Sequence, residues 1–248
     1  MEFILTDNIR IDLAKVDIEF EHSLQPWWDE LCGYQPAPGE DIGYELLPVL
    51  VINAYRWAGN GHRLTIKMAN LFRTLNLANI IHLRVRDMEE GQEHNQQLQF
   101  TILIGDYIYG RVLKLLLETE AEKLLDQFAA MIATINEGLV MEHNLDSSLE
   151  EYLSRSRAPF YANAFSSAAR MQGWNPARID LYEELGRNLG MALEMICVYK
   201  KAAEGYRYLR QAESKHRQLT QDGFFLNNDL DDTIRAIWNE KEVTANGL

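Results

Sequence analysis

The chain has 248 residues, of which 47% are hydrophobic and 25% are charged. This composition is typical of a globular protein, and it excludes a disordered chain and a collagen-like repeat. The 24 Lys and Arg residues against 37 Asp and Glu residues give a net charge of −13. Binding to nucleic acid needs a basic surface, so we expect no nucleic-acid partner. At this length, we expect a single domain over residues 1–248.

The amino terminus has no basic segment followed by a long apolar one, so we expect no secretory signal. No apolar run approaches the roughly 18 residues that a transmembrane helix needs. Two cysteines, Cys32 and Cys197, are too few for a disulfide framework or a thiolate zinc site. We therefore expect a cytoplasmic protein without a transmembrane segment.

Apolar residues recur at three- and four-residue spacing along most of the chain, which predicts an all-α fold. Loops are expected at 32–40 and 59–61, where Gly and Pro cluster, and Pro48 is expected to kink or shorten the second helix. The longest predicted helix, over 177–211, has candidate breaks at Gly186 and Gly205. The predicted helices cover about residues 8–32, 41–57, 62–86, 98–118, 121–144, a segment that opens at Ser147, 177–211 and 229–240.

Two short patterns predict helix starts. Ser147 followed by Glu150 is typical of a capping box. Asn175 followed by Pro176 is the preferred pair for an N-cap and a first helical residue.

Residues 80–145 carry the most informative pattern. The motif NxQLxxxxLxGDYxxG runs from Asn95 to Gly110, and Ile-Asn-Glu follows at 135–137. Here the sequence resembles the trans-polyprenyl diphosphate synthases, in particular the non-catalytic small component (component I) of heterodimeric heptaprenyl diphosphate synthase. The resemblance implies an isoprenoid synthase-type helical bundle around a central cavity.

In that family, two aspartate-rich motifs bind Mg²⁺, which holds the departing pyrophosphate of an allylic substrate. The resemblance places the first motif directly after His82, on Leu83 to Asp87. Only Asp87 is a carboxylate there, because leucine cannot bind magnesium and Arg84 would repel it. The first aspartate motif is therefore degenerate.

The other family sites are altered as well. The second motif falls within 190–205, which contains Glu194 and Glu204 but also Lys200 and Lys201. A diphosphate-binding loop would lie near Gly61, and its best candidate contact is Arg63. The usual Lys-Thr pair falls at about Phe160 and Tyr161.

Four altered sites together predict a chain that is not catalytic alone and binds no metal or cofactor itself. The resemblance implies a non-catalytic subunit of a heterodimeric long-chain polyprenyl diphosphate synthase, in the supply of the menaquinone side chain. Mg²⁺ is then expected in the catalytic partner subunit. When isolated, the chain could instead form a homodimer.

The family forms its subunit contact with the helix that contains Gly105 and with the next helix, which implies an interface over 105–140. The same apolar pattern also suits the central core helix of a monomer. The interface residues expected on the first of these helices are Gly105, Asp106, Tyr107, Tyr109, Val112 and Leu116.

Two other functions stay open. One is a self-sufficient prenyltransferase or terpene synthase with atypical metal ligands, for which the candidates are Asp87, Glu89, Glu90 and Glu194. The other is a pseudoenzyme that binds an apolar ligand in the cavity without chemistry.

Overall fold

A computed structural model describes residues 7–87, 96–144, 148–221 and Ile234. These ranges contain helices and no strand, which confirms the all-α prediction. Short 3-10 turns cover Cys32–Tyr34 and Glu122–Leu124, and a π-helical turn covers Glu194–Val198. The α-helices are α1 (Asp7–Ser23), α2 (Trp28–Leu31), α3 (Ile42–Trp57), α4 (His62–Asp87), α5 (Gln96–Glu118), α6 (Leu125–Asn144), α7 (Leu149–Ser156), α8 (Ala158–Met171), α9 (Pro176–Leu193) and α10 (Ala202–Gln221).

The proline positions act differently from one another. The first helix ends at Ser23, before Pro26, which restricts the preceding residue and has no N–H to continue a helix. By contrast, α3 continues through Pro48 to Trp57, so this proline does not shorten the helix as predicted. In the described ranges, no helix combines the length and the apolar character that crossing a bilayer requires.

The predicted helix over 177–211 is interrupted, but at neither predicted glycine. The break falls between α9 and α10, where Lys200 has a left-handed φ of 57°. Gly186 lies inside α9, and a Cβ atom there would overlap the ring of Phe165 on α8. Its lack of a side chain therefore permits close packing of α8 on α9 rather than a helix end.

One of the two predicted helix caps is confirmed, and the other is one residue away from its predicted position. Asn175 caps α9, and its Oδ1 accepts a hydrogen bond from the Arg178 N–H at 3.0 Å. The cap of α7 is Ser148, whose Oγ accepts from the Glu151 N–H at 3.2 Å. The capping serine is thus one residue later than the predicted Ser147, which lies outside the described residues.

The helix directions bring four helix ends together. α3 and α4 are antiparallel neighbours joined by a short turn, and so are α8 and α9. α3 and α8 run parallel, since Tyr55 Oη and Ser167 Oγ, both near the carboxyl ends of these helices, are 2.8 Å apart. The starts of α3 and α8 and the ends of α4 and α9 therefore share one end of the bundle, which we call the site end.

Aromatic side chains fill the bundle at the opposite end. The Phe165 ring lies 5.9 Å from Trp57 and 4.8 Å from Tyr182, measured between ring centres. The Tyr182 hydroxyl donates to the Ala54 carbonyl at 2.7 Å, which satisfies its buried polar atom. Burial of each such side chain stabilises the fold by about 1.5–3 kcal/mol, so this packing fixes α3, α8 and α9 relative to one another.

Candidate functional site

Four polar side chains meet at the site end, and we call them the Arg157 cluster: Asp41, Arg157, Tyr161 and Glu194. Arg157 is the residue between α7 and α8, and its guanidinium lies 3.2 Å from Asp41 Oδ2. The Tyr161 hydroxyl donates to Glu194 Oε1 at 2.6 Å. The cluster therefore joins the starts of α3 and α8 to the end of α9.

Local backbone features position both carboxylates. Asp41 is the N-cap of α3, and its Oδ1 accepts from the Tyr44 N–H at 2.9 Å. Glu194 opens the π-helical turn after α9, a distortion that is frequent at functional sites. A Cβ atom at Gly43 would lie 2.8 Å from Glu194 Oε1, so glycine is needed for this approach to α3.

The protonation states follow from burial and from neighbouring charge. Burial raises the pKa of Glu194, which is 1% exposed, although the Arg157 charge pulls it down. Burial also raises the pKa of the Tyr161 hydroxyl, and the Glu194 charge adds to this effect. Burial alone would lower the pKa of Arg157, but the charges of Glu194 and Asp41 outweigh it and raise that pKa. The guanidinium thus stays charged.

Most charged and polar atoms of the Arg157 cluster have partners within the chain. Arg157 faces two carboxylates of its own protein, so its charge is compensated without a ligand. One atom is left over, because the buried Glu194 Oε2 has no hydrogen-bond partner among the described residues. No group of three His, Cys, Asp or Glu side chains in the described ranges is placed to hold a metal ion.

Replacing Glu194 with glutamine should change how stability depends on pH. Because burial holds the folded pKa of Glu194 above the ordinary value of 4.5 for a glutamate, its contribution to stability is fully present below that ordinary value. It is lost as the pH rises through the folded pKa. The free energy of unfolding of Glu194→Gln, relative to the unmodified chain, should therefore increase from about pH 4 to pH 8.

Urea unfolding at several pH values measures this difference directly. Glu204→Gln is the matched control, since Glu204 is exposed in the first turn of α10. A flat or falling difference for Glu194→Gln would contradict the assigned direction of its pKa.

The second-motif region is split by the break after α9. Glu194 points into the Arg157 cluster, whereas Lys200, Lys201 and Glu204 are exposed around the break and the start of α10. The sequence predicts that basic residues replace acidic ones in this region, and in the structure both lysines are exposed.

The first-motif region lies at the end of α4. His82 and Leu83 are half-buried there, and the side chains of Arg84 and Asp87 lie outside the described residues. The acidic candidates Glu89 and Glu90 lie outside them as well.

His82 connects α4 to the most distinctive motif on α5. Its ring stacks on Tyr109 with 5.3 Å between ring centres and 25° between planes. A Cβ atom at Gly105 would lie 2.6 Å from His82 Nε2. Burial lowers the pKa of His82, and the nearby Asp106 charge opposes that shift. Gly105 and Tyr109 therefore form a helix contact inside the chain.

Gly105→Ala is expected to destabilise the chain by about 1–3 kcal/mol, because the new methyl group would overlap the His82 ring. Gly110→Ala on the same helix is the matched control, since no atom lies within 4 Å of a Cβ there. Alanine should instead stabilise α5 at that position by about 0.5–1 kcal/mol. Thermal or urea unfolding distinguishes the two, and equal effects would contradict the packing argument.

Arg63 is not at the site end. It is exposed near the start of α4, and the 24 residues from there to Asp87 extend about 35 Å at 1.5 Å per residue. The resemblance implies Arg63 as a diphosphate contact, and the structure places it far from the first-motif region at the end of the same helix. Phe160 and Tyr161 are buried at the site end as α8 begins.

Asp41 and Arg157 are the site residues that sequence reasoning missed. Asp41, before Ile42 and Gly43, has the pattern of an N-cap, and Arg157 precedes an Ala-Pro helix start, so both lie at recognisable helix ends. No local signal shows that the two meet, because 116 residues separate them.

The structure divides the predicted interface residues between two faces of α5. Val112 and Leu116 are fully buried in the chain's own core, and Gly105 faces α4, so these three are corrected to internal contacts. Asp106 is exposed, and Tyr107 and Tyr109 are half-buried. The exposed large apolar side chains of this helix, which we call the α5 apolar face, are Phe100, Ile102, Leu103, Leu113 and Leu117.

A groove of about 360 Å³ adjoins this face between α2 and α5. Trp27, which is 52% exposed, forms one wall, and Phe100 and Leu103 form the other. Several exposed apolar side chains beside an apolar groove, on a helix that already packs on α4, make this face a candidate protein–protein contact surface.

No protein-family model matches the chain. Two curated proteins with similar sequences are the octaprenyl diphosphate synthase of Escherichia coli (strain K12) and the decaprenyl-diphosphate synthase of Dictyostelium discoideum. The first is 26% identical over 165 residues, which are 61% of this chain and 50% of that protein. The second is 23% identical over 146 residues, which are 54% of this chain and 32% of that protein. The matches thus span about a third and about a half of the length of these two relatives.

Solved structures with the same fold cover nearly the whole chain. One is a polyprenyl synthase from Caulobacter crescentus CB15, complexed with calcium and isoprenyl diphosphate, which has a TM-score of 0.70 at 18% identity. The alignment covers 92% of this chain and 93% of that structure. Another is the geranyl diphosphate synthase small subunit from Antirrhinum majus, which has a TM-score of 0.70 at 12% identity. The alignment covers 94% of this chain and 99% of that structure. The fold is therefore the isoprenoid synthase-type helical fold.

Proposed function

We propose that this chain is a non-catalytic subunit of a heteromeric long-chain polyprenyl diphosphate synthase. The observation that carries the proposal is the Arg157 cluster. At the end of the bundle where the starts of α3 and α8 lie next to the end of α9, Arg157 is compensated by Asp41 and Glu194 of the same chain. It offers no uncompensated positive charge to a diphosphate.

The partner supplies what this chain lacks. It carries two complete aspartate-rich motifs, and the Mg²⁺ held there stabilises the charge of the departing pyrophosphate. This chain has a structural role: it completes the assembly and helps to set the length of the prenyl product. That product supplies the prenyl side chain of a quinone such as menaquinone.

The contact with that partner is made by the α5 apolar face. Leu113 and Leu117 lie one turn apart on its exposed side, and their exposed fractions are 49% and 60%. Covering such side chains removes apolar area from water, which favours association. The similarity of the fold to a geranyl diphosphate synthase small subunit supports a subunit role.

The experiment mixes the purified chain with a prenyl diphosphate synthase from the same organism that carries both intact motifs. Incorporation of labelled isopentenyl diphosphate is measured for each protein alone and for the mixture, with Mg²⁺ present. We expect background turnover from this chain alone and at least a tenfold rise, or a longer product, in the mixture.

Turnover by the isolated chain would support the self-sufficient enzyme instead. A mixture with the same rate and product length as the partner alone would overturn the proposal. Apolar lipid that copurifies with the chain, together with an unchanged rate, would favour the ligand-binding pseudoenzyme.

A further inference from the structure

A cavity of about 540 Å³ lies between α6, α8 and α9. Its lining on α8 includes Pro159, Asn163 and Arg170, whose spacings of four and seven residues place them on one face of that helix. Tyr161 and Phe165 lie on the opposite face, against α9. The cavity is therefore on the side of α8 that is turned away from the Arg157 cluster.

Gln127 on α6 brings an amide oxygen without a hydrogen bond to this cavity. Its Nε2 donates to Asn163 Oδ1 at 3.0 Å and to Ser166 Oγ at 2.8 Å. The Asn163 amide nitrogen donates to the Pro159 carbonyl, and the Ser166 hydroxyl donates to the Ala162 carbonyl. Both oxygens therefore act as acceptors and fix the orientation of the Gln127 amide.

The remaining atom of that amide lacks a donor. Gln127 Oε1 is buried and has no hydrogen-bond partner among the described residues. Buried acceptors without a donor are rare in folded proteins. This oxygen therefore indicates the place of a donor that comes from a ligand.

Two cations, which we call the basic pair, lie at one end of the cavity. Lys123 Nζ donates to the Arg170 carbonyl at 3.3 Å, a contact that leaves the lysine charge uncompensated. The Arg170 guanidinium forms no ion pair with a described residue. A guanidinium binds a carboxylate through two parallel hydrogen bonds, so the basic pair suits a carboxylate ligand.

Acceptors follow about one helical turn after Lys123. Asp126 lines the cavity next to Gln127 and forms no ion pair with a described residue. The two charges contributed by α9 compensate each other, since Arg187 and Glu183 lie 3.2 Å apart. An unpaired carboxylate beside an unpaired amide oxygen suits an ammonium group, which has three donors and no acceptor.

The next turn of α6 lines the cavity with apolar side chains, Ala130 and Met131. Because the contacts of Lys123 with Arg170 and of Gln127 with Asn163 make α6 and α8 antiparallel, Pro159 lies opposite this turn. Met131 is 2% exposed, and Pro159 is buried. The cavity thus offers, in order along α6, partners for a carboxylate, for an ammonium group and for an apolar side chain.

We propose that this cavity binds a free α-amino acid with an apolar side chain. The basic pair binds its carboxylate, Asp126 and the Gln127 oxygen accept hydrogen bonds from its ammonium group, and the apolar turn packs against its side chain. A ligand that joins an anion to an amine satisfies both sets of unpaired groups at once. The site contains no residue of the Arg157 cluster or of the α5 apolar face, so it does not depend on the function proposed above.

Titration calorimetry of the full chain with L-leucine, L-methionine and L-phenylalanine tests the site. N-acetyl-L-leucine and L-leucinamide are the matched probes, because the first lacks the ammonium charge and the second lacks the carboxylate charge. We expect L-leucine to bind about tenfold more tightly than either derivative, since each derivative loses one charge-assisted contact.

Two single substitutions should each remove one part of this selectivity. Arg170→Gln should weaken L-leucine binding about tenfold without weakening that of L-leucinamide, which has no carboxylate to lose a contact. Asp126→Asn should likewise weaken L-leucine binding without weakening that of N-acetyl-L-leucine. Both residues are exposed, and a misfolded variant would lose affinity for all three probes alike.

Arg217→Gln and Glu213→Gln on α10 are the matched controls and should change nothing, because these residues pair with each other. Binding of none of the three amino acids would overturn the proposal. Equal affinity for L-leucine and its two derivatives would overturn it as well, and so would L-leucine binding that Arg170→Gln and Asp126→Asn leave unchanged.

Discussion

Replacing Arg157 with methionine is expected to lower the free energy of unfolding by about 3 kcal/mol, the largest loss that we predict for a single substitution. Methionine retains an apolar side chain of similar length but removes the guanidinium that compensates the charges of Asp41 and Glu194. The cost of such a change comes mainly from the uncompensated buried charge rather than from the lost attraction. Urea unfolding at neutral pH measures the loss.

A second substitution tests this physical reason. In the Arg157→Met background, Glu194→Gln should recover part of the lost free energy of unfolding, because it removes one of the two carboxylates that no longer have a positive partner. The two effects should then be strongly non-additive, as expected for side chains in contact. Arg217→Met is the control. The Arg217 side chain is 70% exposed, and its loss should stay within about 0.5 kcal/mol. A comparable loss at both arginines would refute the role of the cluster.

Disrupting the α5 apolar face is expected to abolish assembly with the proposed catalytic partner. In the double variant Leu113→Asp and Leu117→Asp, two carboxylates would have to be buried at the contact. The partner affinity should fall at least about 100-fold, which is roughly 2.7 kcal/mol. The rate gained by mixing the two proteins should fall to that of the partner alone.

The fold of this variant should be unaffected, since both leucines are exposed in the isolated chain. Ile11→Asp is the matched control, because Ile11 is a 56% exposed apolar residue on α1, away from α5. Analytical ultracentrifugation and the labelled-substrate assay are measured on the same samples. Full assembly by the double variant would show that the partner binds elsewhere.

Several helices and their boundaries could be predicted from the sequence, because they depend on residues three or four positions apart, but the predicted helix over 8–32 is divided after Ser23 in the structure. The periodic apolar pattern over 62–86 predicts α4 to within one residue. The pair Asn175 and Pro176 predicts the start of α9, since a side-chain cap and a fixed φ are local properties. The position of the break after α9 could not be predicted. Gly186 suggests a helix end in the sequence, but its role is a packing contact with α8, which exists only when the helices are assembled.

The candidate site could be predicted only in part. Glu194 was recognised as an acidic residue in the second-motif region, but its position against Arg157 and Asp41 depends on how α3, α8 and α9 are arranged. The resemblance implies Arg63 as a diphosphate contact near Gly61, and it says nothing of how far α4 separates Arg63 from the motif regions. The helix places it at the other end of the bundle.

By itself, the amino-acid sequence determined the helical class, the cap of α9 and the acidic balance, since these depend on neighbouring residues and on composition. The resemblance to the polyprenyl synthases adds the prediction that basic and apolar residues stand where that family has its first metal-binding motif. Only the tertiary structure decided which face of α5 is buried, and that Asp41 compensates Arg157. Those outcomes require contacts between residues far apart in the chain, and such contacts form only when whole helices pack together.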